Sequence, residues 1–360
     1  MNSGVVFLML ITIPYLGIIT LVLLFRSKHY IRRDYSLRPP VSVFLPTYNE
    51  EGNIARKLDD LLNQNYHIHE LLVFDCSTDH TPEIVRQYIR SHPNIKLIQQ
   101  KSRTGVARTL NAFLNLATGE IIVKTDADSF TFNNGALKEL VASFGDPRVG
   151  GVTGICRTVG IEGSYRRLIT ALQIMESNLD SVIIAHASSL LAFRRTCVQP
   201  VDENSMADDT EEFVRIRRLG YRTILNSEVV SQEQVPSDFW GRRAMKDRRA
   251  EGVLRVLMKN RSVLFNPKYG LYGLIIFPMN LFLLAVSPFL VLMGLIAVAY
   301  LSVTELPVLG LALILGLATT SALKPHLLMS LVDTQVSGLI GTMNAVFKKP
   351  RAIWEKVSER

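Results

Sequence analysis

No charged residue occurs between Met1 and Phe25, and none between Tyr269 and Thr304. Between Arg26 and Lys268 the chain carries 34 Lys/Arg and 28 Asp/Glu. The apolar runs need an apolar solvent and the charged stretch needs water. The pattern therefore predicts a soluble domain held between membrane segments. It excludes an ordinary cytosolic enzyme, a disordered tail protein and a pure membrane bundle.

Val5 to Phe25 holds 21 uncharged residues, enough to cross a hydrocarbon core of roughly 30 Å at about 1.5 Å per residue. A cleaved signal peptide would carry its basic residues before the apolar run. Here Arg26, Lys28, Arg32 and Arg33 follow it. The positive-inside rule then puts the N-terminus outside and everything after Phe25 in the cytoplasm. The segment reads as a retained anchor, residues 1–26.

Residues 269–347 form a second membrane or interfacial region. Tyr269 to Thr304 suits one tilted helix, or an interfacial turn and then a helix, with Pro278 and Pro288 as candidate breaks. Glu305 and Pro307 mark a loop, Val308 to Leu323 is a second span, and Lys324 returns to the basic side. His326 to Phe347 contains Asp333 and Gln335 and reads as interfacial or re-entrant. Residues 348–360 form a basic cytoplasmic tail. Two or four crossings after the soluble domain satisfy the charge markers; three do not. The expectation is a multi-pass protein of the cell membrane.

Charge divides the middle further. Arg26 to Arg38 carries a net +4, Arg242 to Lys268 a net +7, and Pro39 to Gly241 a net −5. An acidic core between basic collars, each next to an apolar run, points to anionic membrane lipids and not to nucleic acid. Cys76, Cys156 and Cys197 form no CxxC pair and are odd in number, so neither a disulfide framework nor a zinc site follows.

Residues 39–241 alternate short apolar runs with helical stretches. Strands are expected at Val41–Leu45, Leu71–Phe74, Ile95–Ile98 and Glu120–Lys124, with helices from Asn53, Thr81 and Val106. Thr81 and Pro82 read as a hydroxyl cap followed by proline at the first helical position. Such alternation predicts an α/β fold with a mostly parallel, Rossmann-like sheet. Ligands of these sheets bind beyond the carboxyl ends of the strands. That directs attention to Pro46–Glu51, Asp75–Asp79 and Thr125–Ser129.

In an extended segment the carboxylates of Asp126 and Asp128 fall on the same side. At a strand end, such a pair can share a hard divalent cation with a nucleotide diphosphate. Taken alone, Asp-x-Asp is more often a solvated turn.

Four segments in order resemble the nucleotide-sugar-binding half of the family 2 glycosyltransferases, which have the GT-A fold. They are Val41-Ser-Val-Phe-Leu-Pro-Thr-Tyr-Asn-Glu-Glu51, Val73-Phe-Asp-Cys-Ser-Thr-Asp-His-Thr81, Gly105–Asn111 with Ala117-Thr-Gly-Glu120, and Thr125-Asp-Ala-Asp128. The resemblance runs from about Val41 to Gly252. It implies that Asp75 hydrogen-bonds the base, and that Pro46, Thr47, Tyr48 and Glu50 contact base and ribose. It also implies that Asp126 and Asp128 hold the diphosphate through Mg²⁺ or Mn²⁺.

Ala207-Asp-Asp-Thr-Glu-Glu212, ending in Gly220-Tyr221, is similar to the family's acidic pair and helix. The resemblance makes Asp209 the general base for an acceptor hydroxyl, opposite the leaving diphosphate. Asp209 and Glu212 also fit a capping box, and both readings can hold. Met245-Lys-Asp-Arg-Arg249 stands where processive members have Gln-x-x-Arg-Trp, and only Arg248 matches. Arg248 suits phosphate oxygens, while the missing Trp removes the floor beneath an acceptor sugar. The same stretch fits a basic amphipathic helix (residues 242–268) with Val253, Leu254, Val256, Leu257 and Phe265 toward lipid.

His186 lies near the expected acceptor site. One of Lys101, Arg103 and Arg108 is placed to touch phosphate. Asp333 is a functional candidate because it is a charge in an apolar stretch, and an interfacial polar face explains it equally well. Cys76 reads as a small buried residue.

The expectation is a membrane-embedded, metal-dependent inverting glycosyltransferase. It takes sugar from a nucleoside diphosphate donor, UDP-linked, and gives it to a lipid-linked or polyprenyl-phosphate acceptor on the cytoplasmic face. Processive polysaccharide synthesis is the runner-up. A catalytically silent membrane scaffold, and a nucleotidyltransferase, are the readings from other classes.

Overall fold

The computed structural model describes residues 3–25, 27, 31–158, 160–185, 190–234, 236, 238–304 and 307–351. His186, Glu305 and most of the expected basic tail fall outside them.

After helix α1 (Ser3–Phe25) come β1 (Val41–Thr47), α2 (Ile54–Leu62), β2 (Glu70–Asp75), α3 (Thr81–Ile89), β3 (Ile95–Gln99), α4 (Val106–Leu116) and β4 (Ile121–Thr125). These strands lie in the order β3-β2-β1-β4, all parallel, with Val43 beside both Leu71 and Val123. The chain builds outward from β1 and then returns to its other side at β4. A crevice opens where the order reverses, and that crevice is where ligands of such sheets sit.

The second half adds β5 (Ser129–Thr131), α5 (Ala136–Ala142), β6 (Val149–Arg157), α6 (Gly160–Leu179), β7 (Leu190–Arg194), α7 (Asp208–Arg218), β8 (Arg222–Glu233) and α8 (Phe239–Lys259). The eight-stranded order is β3-β2-β1-β4-β7-β6-β8-β5. Strand β7 runs antiparallel between β4 and β6, and β5 runs antiparallel to β8. The sheet is mixed: the half that the alternation predicts is parallel, and in the second half β6 and β8 also pair in parallel.

Two apolar layers cover it. Val41, Val43 and Leu45 of β1 pack with Ile54, Leu58 and Leu61 of α2 on one face. Phe44 points to the other face, meeting Phe74 and Phe113 with ring centroids 5.0 to 6.2 Å apart. This is the two-residue period of a strand buried on both sides. A third cluster unites Ile183, Val214, Val253, Val256 and Leu257 with Tyr272, Ile276 and Phe277. The apolar side of α8 is therefore taken by protein: Val253, Leu254, Val256 and Leu257 are buried, and of the five residues expected to face lipid only Phe265 is exposed.

Thr81 is a helical residue and His80 the cap, one position earlier than the sequence suggests. The Thr81 hydroxyl is drawn away because it donates to Asp79 at 2.6 Å, while Asp79 also accepts the Thr81 amide at 3.0 Å.

Glu70 explains Ala117-Thr-Gly-Glu120. Its carboxylate accepts the Ser42 hydroxyl (2.7 Å), the Thr118 amide (2.7 Å) and hydroxyl (2.8 Å), and Lys96 (3.1 Å). At Gly119 a side chain would sit 2.6 Å from the Ser42 amide, so the turn passes too close for anything larger. Burial alone would raise Glu70, but the bonds from Ser42, Thr118 and Lys96 prevail and hold it at about 2. A depressed carboxylate stabilises the fold above its unfolded value, near 4.5, and loses that contribution as pH falls toward 2. Between pH 5 and pH 2 the parent should lose on the order of 3 kcal/mol that Glu70→Gln does not lose. Denaturant midpoints at the two pH values check this; equal losses in parent and variant would refute it.

Among the described residues two helices are long and apolar enough to span a membrane, Val6–Phe25 and Tyr272–Thr304. The second is continuous, and its prolines do not break it. Wide π-type turns at Tyr272–Ile276 and Phe282–Val286 come two residues before Pro278 and Pro288 and absorb the amide each proline lacks. The helices Pro307–Leu323 and Pro325–Phe347 follow. They bend by 118° at Lys324, and the terminal one lies against α8 and α6.

Candidate active site

The loop after β1 is fastened to the loop after β2. Asn49 takes a left-handed backbone (φ 54°), which asparagine tolerates better than most residues. Its amide donates to Ser77 Oγ (2.8 Å), and its side-chain oxygen accepts the Thr78 amide (2.9 Å). The Glu50 amide donates to Thr81 Oγ1 (2.9 Å) and the Glu51 amide to Asp79 (3.1 Å). Thus Tyr-Asn-Glu-Glu and Ser-Thr-Asp-His-Thr form one rigid rim. Pro46, Thr47, Tyr48 and Glu50 present one wall of a cleft of about 200 Å³. Arg103 stacks on the Tyr48 ring at 4.1 Å.

Asp75 sits beneath this wall and does not line it. It is 1% exposed. Its carboxylate accepts Thr47 Oγ1 (2.7 Å), Ser77 Oγ (2.5 Å) and the Ser77 amide (3.2 Å). In this arrangement Asp75 braces the loop. The cleft-facing neighbour is Cys76, whose thiol is half-buried and raised mainly by burial.

Asp126 and Asp128 follow β4 and line the floor. Beneath them lies Lys57 of α2, 1% exposed, donating to the Ser129 carbonyl at 2.7 Å. Asp60, also on α2, accepts the Thr131 amide at 3.2 Å. These two contacts pin the turn that presents both aspartates. Burial, and then the Asp128 carboxylate, push Asp126 well above the usual carboxylate range, with the Lys124 ammonium opposing.

The cleft is also lined by Gln100, Arg103, Thr104 and Gly105 from the β3–α4 connection, by Glu233 at the end of β8, and by Arg248 and Arg249 of α8. Among the basic residues after β3, Arg103 faces the cleft. Arg108 pairs instead with Glu203 at 2.6 Å on the surface, and Lys101 is exposed. Arg249, in the place of the absent Trp, is ion-paired with Glu233. Arg166 of α6 holds the same Glu233.

The acidic pair opens α7. Asp208 is ion-paired with Lys124 of β4, while Asp209 is half-buried. The capping box does not form. The cap is Ala207, without a side-chain bond, and Asp209 Oδ1 accepts the adjacent Thr210 amide at 2.7 Å. Glu212 is fully buried, neither of its carboxyl oxygens is hydrogen-bonded to a described residue, and burial pushes it up to about 8. Lys124 feels the negative charges of Asp208, Asp209 and Asp126, which together outweigh its burial and raise it. One buried ammonium thus lies among the floor of the cleft and the acidic pair. Lys57, Lys124, Glu233 and Arg249 were not assigned roles from sequence. A lysine inside the otherwise apolar strand Ile-Ile-Val-Lys-Thr was the available signal for Lys124.

Among the described residues no three His, Cys, Asp or Glu side chains cluster as a complete metal site. Asp126 and Asp128 still fit a hard divalent cation. They offer carboxylate oxygens, and the raised Asp126 marks a like-charge pair that such a cation would relieve. Mg²⁺ and Mn²⁺ sites of this kind use one or two carboxylates and take their remaining oxygens from substrate phosphates and water.

Residues 42–196 match glycosyl transferase family 2, and residues 121–323, more than half of the chain, match glycosyl transferase family group 2. The probable glycosyltransferase YdaM of Bacillus subtilis (strain 168) is 24% identical over 263 residues, 66% of this chain and 60% of the relative. The beta-monoglucosyldiacylglycerol synthase of Nostoc sp. (strain PCC 7120) is 31% identical over 155 residues, 41% of this chain and 33% of the relative. The chain therefore spans between a third and three fifths of the length of these curated relatives. Among solved structures, the mannosyltransferase PcManGT from Pyrobaculum calidifontis, in complex with GDP-Man and Mn²⁺, superposes with a TM-score of 0.79. It is 27% identical, covering 95% of this chain and 99% of that one. With the cleft at the β1/β4 reversal, the paired aspartates and these matches in hand, the chain belongs to the family 2 glycosyltransferases of GT-A fold.

Proposed function

We propose that this glycosyltransferase works in the membrane, inverts the anomeric carbon, and moves one sugar from a nucleoside diphosphate to a lipid-borne acceptor on the cytoplasmic face. The observation that carries the reading is the cleft itself, with Asp126 and Asp128 on its floor, Arg248 on its wall and the acidic pair tied to the same floor through Lys124. Tyr48, Thr47 and Pro46 receive base and ribose, and Asp75 keeps their loop in place. Asp126 and Asp128 would hold the metal, which would supply positive charge to offset the leaving diphosphate. Arg248 binds phosphate oxygens with a planar, permanently charged fork. Asp209 takes the proton of an acceptor hydroxyl as that oxygen attacks the anomeric carbon from the side away from the diphosphate.

For the donor, the likeness to the P. calidifontis structure over nearly the whole chain supports GDP-mannose as the first to test, ahead of the UDP-sugars expected from sequence. The two apolar helices and the name of the Nostoc relative support a lipid acceptor. Arg249 supports single addition over processive synthesis. Where processive members have an aromatic floor, this chain has an ion-paired guanidinium.

Nucleotide release by detergent-purified protein tests the reading, using GDP-mannose and UDP-sugars with Mg²⁺ or Mn²⁺ and crude membrane lipid. Metal-dependent turnover of one donor, with label moving into the lipid phase, is expected. Nucleotide binding without turnover would point to an acceptor of another kind. No nucleotide binding would leave the silent scaffold.

A further inference from the structure

We propose that Asp333, on the terminal helix Pro325–Phe347, is a positioning residue for the donor diphosphate and acts through α8 without touching the donor. The inference rests on the reading of the cleft as a nucleoside diphosphate site. Asp333 is the only Asp, Glu, Lys or Arg in its 23-residue helix. Its Oδ1 accepts Arg243 at 2.7 Å and its Oδ2 accepts Lys246 at 2.6 Å, both from the first half of α8. Lys246 is 7% exposed and also meets Glu162 of α6 at 3.1 Å. Glu162 lies 3.7 Å from Arg166, one turn along α6. Arg166 is ion-paired with Glu233, and Glu233 with Arg249. Ion pairs thus run without a gap from a helix outside the sheet to the wall of the donor cleft.

The backbones agree with the side chains. A Cβ on Gly341 would come within 2.9 Å of the Ala250 Cβ and 3.0 Å of the Glu251 amide, so the terminal helix lies directly on α8 just after Arg248 and Arg249. One face of α8 is set by this contact and by Asp333, and Arg248 and Arg249 line the cleft from the same helix. A carboxylate in a largely apolar helix is retained where it does a job. Here it bridges Arg243 and Lys246, which also meet Asp247 and Glu162 at 3.1 Å, and fixes the rotation of the helix that supplies the phosphate-binding guanidinium. Lys246 and Arg249 are three apart, so a turn of α8 that moves one moves the other.

The test is binding of GDP and UDP, and of guanosine and uridine as probes without phosphate, to the full chain in detergent with Mn²⁺. Asp333→Asn should weaken the diphosphate that the parent binds by about tenfold and leave its nucleoside unchanged. Asp333→Glu should stay within about threefold of the parent. In an Arg248→Gln background the Asp333→Asn change should have little further effect, because both act on the same contact. Equal weakening of diphosphate and nucleoside would make Asp333 a general structural residue and overturn the proposal. So would full effects that simply add in the double variant. If Asp333→Asn does not accumulate, Lys246→Gln cuts the same tie from α8 and should give the same selective loss. A parent that binds neither GDP nor UDP would refute the donor-site reading instead, which separates the two failures.

Discussion

Asp128→Asn should lower metal-dependent turnover by about a thousandfold or more, because several kcal/mol of charge stabilisation are lost and each 1.36 kcal/mol is a factor of ten. The same is expected of Asp126→Asn. Folding should survive, since the turn is held from below by Lys57 and Asp60. Thermal midpoints of parent and variants check that part, and nucleotide release checks the rest. A pH dependence comes with it. Asp126 is raised by burial and by Asp128, so the metal must displace a proton that an ordinary aspartate would already have lost. Mn²⁺ affinity should therefore weaken as pH falls from 8 through the range just below neutrality. A pair of unperturbed carboxylates would stay flat until near pH 4. Mn²⁺ titrations followed by electron paramagnetic resonance at pH 6 and pH 8 distinguish the two. Equal affinities would show that the metal does not meet Asp126.

The second large effect concerns the acceptor. Asp209→Asn should reduce kcat by about a hundred- to ten-thousandfold while leaving nucleotide binding within about twofold. That split is expected because Asp209 is not among the described residues lining the donor cleft, while its charge acts on Lys124. The size of the loss reports the acceptor chemistry. A hydroxyl must give up its proton and needs the base; a polyprenyl phosphate arrives already anionic and needs it far less. A drop below tenfold with label still entering lipid would identify a phosphate acceptor and remove the base role from Asp209.

Much of the donor half was legible because each of its signals is local. A run such as Val-Ser-Val-Phe-Leu with proline and asparagine after it states both a buried strand and the turn that ends it. Asp126 and Asp128 stand two apart just after β4, and a turn there carries both to the floor of the cleft. What could not be read depends on partners far away in sequence. Leu190–Arg194 is buried along most of its length, and nothing in an evenly apolar strand records its direction. The box at Asp209 and Glu212 has the right spacing, yet Lys124, more than eighty residues earlier, takes Asp208 and the helix starts two residues sooner than the box requires. The family resemblance makes Asp75 a ligand for a base. Its hydroxyl neighbours Thr47 and Ser77 occupy it. Arg249 could be seen only as a missing tryptophan until Glu233 appeared beside it.

The long helix Tyr272–Thr304 has a further consequence for how the chain can be divided. Its first turns fill the third apolar cluster, where Tyr272, Ile276 and Phe277 are fully buried beside residues of α7 and α8. Asn280, one turn on, donates to Glu176 of α6 at 2.6 Å. A protease or an engineer cutting after Lys268, where the charges end, would unroof that cluster and strand a buried acid. The charge pattern marks where water gives way to lipid, but the seam along which the catalytic unit could be excised lies further on. Secretion of a trimmed, water-soluble form should therefore fail by aggregation unless the first three turns of the helix travel with it.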